Sequence, residues 1–312
     1  VKLHYEVTST AAYRTERARH PLCVAVGVFD GYHLGHQAIV RTLLHARRAG
    51  ERTAVVTFAD HPMAHLRPAD VPPPIATLAE RINAFARAGV DETFVLPFDE
   101  RIAGLSPEAF LDDVLVAGLG ARALVVGANF RFGANRVGDV AFAQAHLAAQ
   151  GREAIGVPNV LIDGERVSST RIRTAIASGD LAAADRMLGQ SYTLRGLVAF
   201  GAGRGHDLGF PTANVIVPPQ KMLPPDGVYT TTARYDGRDH PGLVSIGTNP
   251  TFDGVARTVE AWLRDFNGSL YGEELALRDL RYVREQRRFA SADELLDQMR
   301  RDAEAVAFPA FS

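Results

Sequence analysis

The chain has 312 residues, 46% of them hydrophobic, with 34 Lys and Arg against 36 Asp and Glu. That length favours two domains, and that composition is enough to build a core in each. Charge so nearly balanced gives no overall field for nucleic acid or a membrane surface; the single Cys23 excludes an internal disulfide framework and a multi-cysteine zinc site; and no apolar run reaches the roughly 18 residues of a membrane span. The start, "VKLHYEVTSTAAYRTER", has no signal-peptide core. The expected setting is therefore the cytoplasm, with small-molecule partners, no nucleic acid and no membrane; a homo-oligomer stays open.

From Leu22 the chain alternates apolar strand-like runs with amphipathic helical stretches. The order is "LCVAVGVF", "HQAIVRTLLHARRAG", "TAVVTF", "TLAERINAFARAG", "ETFVLPF", "SPEAFLDDVLVAG", "ALVVG", "VAFAQAHLAAQG" and "EAIGVP". The first helix carries Ile39, Leu43 and Leu44 on one face and is expected to end in Gly50. Thr77 with Glu80 has the spacing of a capping box, and Ser106 before Pro107 places a cap ahead of a proline at the first helical position. Such alternation predicts a parallel sheet covered on both faces. After two short helical pieces separated by "SGD", segments such as "SYTLRGLVAF", "ANVIVP", "GVYTTTARYDG", "GLVSIGT", "RTVEAWLRDF" and "ELALRDLRYVRE" are short and rich in β-branched and aromatic residues. They predict an antiparallel barrel or sandwich closed by one helix near Ser291–Phe308, whose start carries a second capping pair, Ser291 and Glu294. The domains are expected at 1–186 and 187–312.

One loop stands out for the chemistry of the first half. "GVFDGYHLGHQ", Gly27 to Gln37, follows a strand and precedes a helix, so it lies at the carboxyl edge of the sheet, where open α/β folds bind ligands. Its glycines allow tight turns, and the helix start offers N–H donors and a positive dipole end to an anion. His33 and His36 stand one helical turn apart. A zinc pair would need a third ligand, and a purely structural turn would leave two histidines beside glycines unexplained, so phosphate binding is the best account. With only two lysines, Lys2 and Lys221, neither after a glycine, there is no Walker A loop. The His61 and His65 pair has helical spacing, but Pro62 argues for a loop without metal.

"HLGH" together with "SSTRIR" at Ser168–Arg173 resembles the paired signatures of the HxGH nucleotidyltransferases, and "VVTFADHP" with "VVGANFRFGANRVGD" resembles the segments of prokaryotic FMN adenylyltransferase. The resemblance implies a Rossmann-like α/β nucleotidyltransferase domain that joins ATP to FMN, with His33 and His36 holding the ATP phosphates. It also places Gly27, Phe29, Asp30, Gly31, Asn129, Arg166, Ser169, Thr170 and Arg173 in the nucleotide site. Many relatives have Asp where this chain has Asn129, an exchange an amide tolerates because it too donates and accepts hydrogen bonds. Arg131, Arg136 and Arg171 are read as surface residues.

In the second half, "GAGRGHDLGFPTANV" imitates a dinucleotide fingerprint, but Pro211 and a β-like run follow where a helix would be needed. As a loop of a β domain its glycines suit phosphate, and Thr212 and Asn214 offer oxygen ligands for Mg²⁺. "GRGHDLGFPTAN", "DGVYTT", "SIGTNPTFDG" and "TVEAWLRDFNGSLYG" resemble, in order, the riboflavin kinase motifs. The resemblance implies an antiparallel β-barrel kinase domain with a C-terminal helix, an ATP site at Gly203, Gly209, Pro211, Thr212 and Asn214, Mg²⁺ held by Thr212 and Asn214, and Glu260 as catalytic base. Strand alternation sets Glu260, Trp262 and Arg264 on one face and Val259, Ala261 and Leu263 on the other. Riboflavin presents a neutral hydroxyl, for which a carboxylate base is useful. The whole-chain expectation is a bifunctional enzyme making FMN and then FAD. Its rivals are a nucleotidyltransferase for another phosphate substrate, such as a cytidylyltransferase, and a flavin or nucleotide sensor without turnover.

Overall fold

Every residue of Leu22–Val26 is buried, the mark of a strand covered on both faces, and this strand lies inside a six-stranded parallel sheet. The structure, a computed structural model, describes residues 1–5, 20–199, 211–248, 257–287, 289 and 291–305. The sheet strands are β1 Lys2–His4, β2 Leu22–Val26, β3 Arg52–Phe58, β4 Glu92–Leu96, β5 Ala121–Gly127 and β6 Glu153–Val157. Their order is β1-β4-β3-β2-β5-β6, parallel throughout. Alternation splits β2 between two cores. Val24 and Val26 pack with Phe110, Leu111 and Leu147, whereas Cys23 and Ala25 pack with Val40, Leu43 and Phe85. Helices α1 Leu34–Ala46 and α2 Leu78–Ala88 supply the second set, and α3 Val140–Ala148 with a π-helical run, Phe110–Gly118, supplies the first.

The caps read from the sequence set several of these helix starts. Thr77 and Glu80 make both bonds of the capping box, and Ser106 accepts from Ala109 N with Pro107 inside the first turn. Two local expectations are corrected, and one strand is added. Helix α1 ends at Ala46, not Gly50, which instead turns the chain with φ of 80°. His61–His65 is not a loop: Pro62–Leu66 is a short helix capped by His61, because proline at the first helical position removes only an N–H that has no helical partner. Strand β1 was not expected, since three residues carry too little periodicity to read.

Contacts divide the chain into 1–169 and 170–312, earlier than the expected 186/187. The second unit holds α4 Ser169–Ala177 from Thr170 onward, α5 Leu181–Leu188 and six strands: β9 Leu194–Ala199, β10 Thr212–Ile216, β11 Gly227–Tyr235, β12 Arg238–Thr248, β13 Arg257–Leu263 and β14 Glu274–Arg284. A small hairpin, β7 Leu161–Ile162 with β8 Glu165–Arg166, precedes them in the first unit. The six antiparallel strands close in the order β10-β13-β12-β11-β14-β9, a barrel and not a sandwich. Helix α6, Ala292–Ala305, begins where Ser291 Oγ accepts from Glu294 N at 3.2 Å. It is tied to the barrel by buried Asp302, which accepts from Arg284 Nε of β14 at 3.0 Å.

Candidate active sites

Strand order makes the first site. After β2 the chain builds outward through β3 and β4, then returns to the other side of β2 for β5 and β6. Outside the carboxyl ends of β2 and β5 the connections therefore diverge and leave a crevice, the topological switch point where open α/β sheets bind ligands. The turn after β2 ends at His33, with His36 in the first turn of α1 that follows, and the turn after β5 holds Asn129. Asn129 Nδ2 donates to Asn159 Oδ1 at 2.7 Å, which orients its amide at the exposed rim.

The turn itself is tightly specified. Phe29 and Tyr32 adopt left-handed φ of 55° and 42°, conformations that cost energy in non-glycine residues and persist only when neighbours hold them. Asp30 is buried and does not point outward: its carboxylate accepts from Ile75 N at 3.2 Å and Ala76 N at 2.9 Å, holding the segment that starts α2. Gly31 has φ of 81°, and a Cβ there would meet Ile75 at 3.0 Å. A Cβ on Gly35 would meet the His33 ring at 3.1 Å.

His33 caps α1, its Nδ1 accepting from His36 N at 3.3 Å. In the neutral ring that acceptor role leaves the proton on Nε2, a donor for an anion. The two imidazoles stack at 3.6 Å between centroids, and the Phe29 ring meets His36 edge-on at 5.2 Å. His36 Nδ1 is buried and finds no partner among the described residues, the kind of orphan a bound group satisfies. Burial pushes the His33 imidazole down to about 4, with the Arg166 charge adding to the effect. Burial, then His33, then Arg81 hold His36 well below the ordinary histidine range. Both rings are thus neutral near pH 7 in the free protein.

The depressed His33 value has a consequence for stability. Between about pH 6.5 and 4 the unfolded chain takes up a proton on this residue that the folded chain refuses, so stability present above 6.5 is lost as the pH falls toward 4. The shift corresponds to roughly 3 kcal/mol. Urea unfolding at pH 7 and pH 5 should show the lower midpoint at pH 5. His33→Gln should flatten that part of the dependence; an unchanged slope in this variant would assign it elsewhere.

The second motif reaches the first through Ser169, whose Oγ donates to Asp30 O at 2.9 Å. Arg166, exposed at the end of β8, lies close enough to His33 to act on its titration. Thr170, exposed, and Arg173, half-buried, follow on α4. Gly27 accepts no large substituent without moving the Phe29 ring, 3.2 Å from a Cβ built there.

On the barrel, Val259, Ala261 and Leu263 are buried while Glu260 and Trp262 face the other way. The pairing register sets Asn214 and Ser245 directly beside Glu260, and Thr212 beside Trp262. Cross-strand neighbours of this kind share a face with Cβ atoms about 5 Å apart. A polar row, Asn214, Glu260 and Ser245, therefore crosses three strands on the outer wall, and Gln286 Nε2 donates to Ser245 Oγ at 2.8 Å at its end. Pro211 is exposed at the start of β10. Gly203 and Gly209 lie outside the described residues. Thr212 and Asn214, two apart on β10 and both half-buried, present a hydroxyl and an amide oxygen on one face, a hard-oxygen pair that fits Mg²⁺ shared with substrate phosphates.

One residue near the first site escaped sequence reading. Arg81 of α2 is buried and donates into the turn at Val28 O, 2.7 Å away. The signal was present, since Arg81 shares the apolar face of α2 with Ala84 and Phe85.

The FAD synthetase family model matches residues 15–171 and the riboflavin kinase family model residues 188–308. The bifunctional riboflavin kinase/FMN adenylyltransferase of Pseudomonas fluorescens is 38% identical over 299 residues, 94% of this chain and 96% of the relative. Its counterpart in Escherichia coli K12 is 35% identical over 283 residues, 90% of each chain. A crystal structure described as a macrolide-efflux protein from Streptococcus pneumoniae has a TM-score of 0.86 at 30% identity and full coverage of both chains. No helix among the described residues is long and apolar enough to cross a membrane. Two family models met in this order, on relatives matched over nearly their whole length, have one meaning: the chain belongs to the bifunctional riboflavin kinase/FMN adenylyltransferase family.

Proposed function

We propose that the crevice at the β2/β5 switch point is where this enzyme adenylylates FMN, and that the outer barrel wall around Glu260 is where it phosphorylates riboflavin. The carrying observation for the first site is the Ser169 to Asp30 bond, which joins the "SSTRIR" segment to the "HLGH" turn. The FMN phosphate attacks the α-phosphorus of ATP, and pyrophosphate leaves. That nucleophile is already ionised near neutral pH, so no base is required. The need is for in-line placement and for donors around the charge that builds on the phosphates. Neutral His33 and His36, the first-turn N–H groups of α1, Arg166, Ser169, Thr170, Arg173 and Asn129 are assigned that work. Ionised phosphates beside the two imidazoles also favour their protonated forms.

In the barrel the riboflavin 5′-hydroxyl is neutral. Glu260 accepts its proton as the oxygen bonds to the γ-phosphorus and ADP departs. When bound, Mg²⁺ neutralises phosphate charge, and Thr212 and Asn214 are the residues assigned to hold it. Functional boundaries at 1–186 and 187–312 are supported by the kinase family match, which begins at 188. The partners are small molecules, not nucleic acid. The lone buried Cys23 suits the reducing cytoplasm.

Chromatography of flavins tests the reading. With riboflavin, ATP and Mg²⁺ the purified protein should form FMN and then FAD, and with FMN and ATP it should form FAD and pyrophosphate. Binding of flavin and ATP with no product would instead make the chain a sensor, and omission of Mg²⁺ without effect would remove the metal assignment.

A further inference from the structure

The Val28–Tyr32 turn contains two left-handed non-glycine residues, so something must hold it. Asp30 grips the start of the α2 segment through Ile75 N and Ala76 N. From the other side, the Arg81 guanidinium reaches across the carboxyl ends of β2 and β3. It donates to Val28 O at 2.7 Å, Thr57 Oγ1 at 3.0 Å and Phe58 O at 3.2 Å. Thr57 Oγ1 in turn donates to Val28 O at 3.1 Å. The carbonyl immediately before the strained Phe29 is thus fixed by two donors. Among the described residues the Arg81 acceptors are all neutral oxygens, and the Asp30 and Asp60 charges act on it through space. A guanidinium stays charged in a protein, and a buried charge is poorly screened by salt. Its field reaches the cradle, since it is one of the causes that depress His36.

We infer that Arg81 is a positioning residue for adenylyl transfer, locking the turn that carries His33 and leads into His36 at the start of α1, and placing a positive charge behind the phosphates. The inference rests on the assignment of ATP phosphates to that turn. A planar fork meets several carbonyls at once, whereas a lysine ammonium supplies the charge without the same fixed geometry. The two roles are therefore separable by substitution.

The experiment compares wild type, Arg81→Lys, Arg81→Met and His36→Ala as full-length chains. It follows kcat and KM for FMN adenylylation, the riboflavin kinase rate of the same preparations, and the His36 titration by proton NMR. His36 is faced by the His33 imidazole and the Phe29 ring, with Arg81 behind. Arg81→Met should lower kcat for adenylylation by about 10- to 100-fold, the scale of a small misplacement of reacting groups, leave the kinase rate within about twofold, and raise the His36 titration point. Arg81→Lys should keep the KM for ATP and the His36 titration near wild type while kcat falls by about tenfold. Unchanged kcat in Arg81→Met while His36→Ala is inactive would overturn this proposal alone. A parallel fall of both activities with no movement of the His36 titration would reduce Arg81 to a fold stabiliser and also overturn it. Full adenylylation by His36→Ala would overturn the cradle assignment, and the proposal with it.

Discussion

Glu260→Gln is expected to lower FMN formation from riboflavin by about 10²- to 10⁴-fold, the usual contribution of a positioned general base, while FAD formation from supplied FMN continues at close to the wild-type rate. Glutamine keeps the shape and hydrogen-bonding reach of the side chain but cannot take the hydroxyl proton. The wall behind it is formed by Val259, Ala261 and Leu263, which point inward and are untouched. Asn214 and Ser245 flank the position on either side, so the substituted amide still has polar neighbours. The measurement is flavin chromatography with each substrate in turn, alongside a thermal melt. An unimpaired kinase would remove Glu260 from the chemistry, and equal loss of both activities would argue against separate sites.

His36→Ala is expected to have the reverse effect. Adenylylation should fall by about 10²- to 10³-fold, the scale seen when one transition-state donor is removed, with riboflavin phosphorylation unchanged. His36 gives a cleaner test than His33, because His33 also caps α1 and its loss adds a helix-capping penalty of about 1 kcal/mol. The buried His36 Nδ1 has no hydrogen-bond partner among the described residues for the substitution to remove. Pyrophosphate release with FMN and ATP reads the effect. A variant that binds and turns over ATP as before would show that the imidazole pair is a packing feature, consistent with its stacking at 3.6 Å and nothing more.

The alternation of strands and helices, the change to β-rich segments after residue 186, and the caps at Thr77 and Ser106 were legible because each is set by residues close in sequence. The strand order was not, and with it the crevice between the β2 and β5 turns, since pairing of Val24 with Leu124 spans most of a domain. The same holds for the barrel, where local pattern fitted a sandwich as well and closure depends on β10 meeting both β9 and β13. Asp30 illustrates a different limit. The resemblance puts it in the nucleotide site, and its carboxylate also accepts from Ile75 N and Ala76 N, partners forty-five residues away or more that no local reading reveals. Arg81 was passed over for the opposite reason: a charged residue on an apolar helix face reads as an irregularity until the carbonyls it meets are known. The π-helical run at Phe110–Gly118 gave no signal distinct from an ordinary amphipathic helix.

The pairing of Glu260 with Asn214 and Ser245 also bears on how the barrel assembles. Strand side chains alternate, so a slip of β13 by one residue against its neighbours would swing Glu260 inward and turn Val259 and Ala261 out to water. An ionised carboxylate in that apolar interior costs several kcal/mol. A misaligned barrel is therefore rejected by the very group assigned to proton transfer. The carboxylate assigned to proton transfer would thus also weigh against misregistered pairing of its own strand, and a neutral residue at 260 would weaken that discrimination.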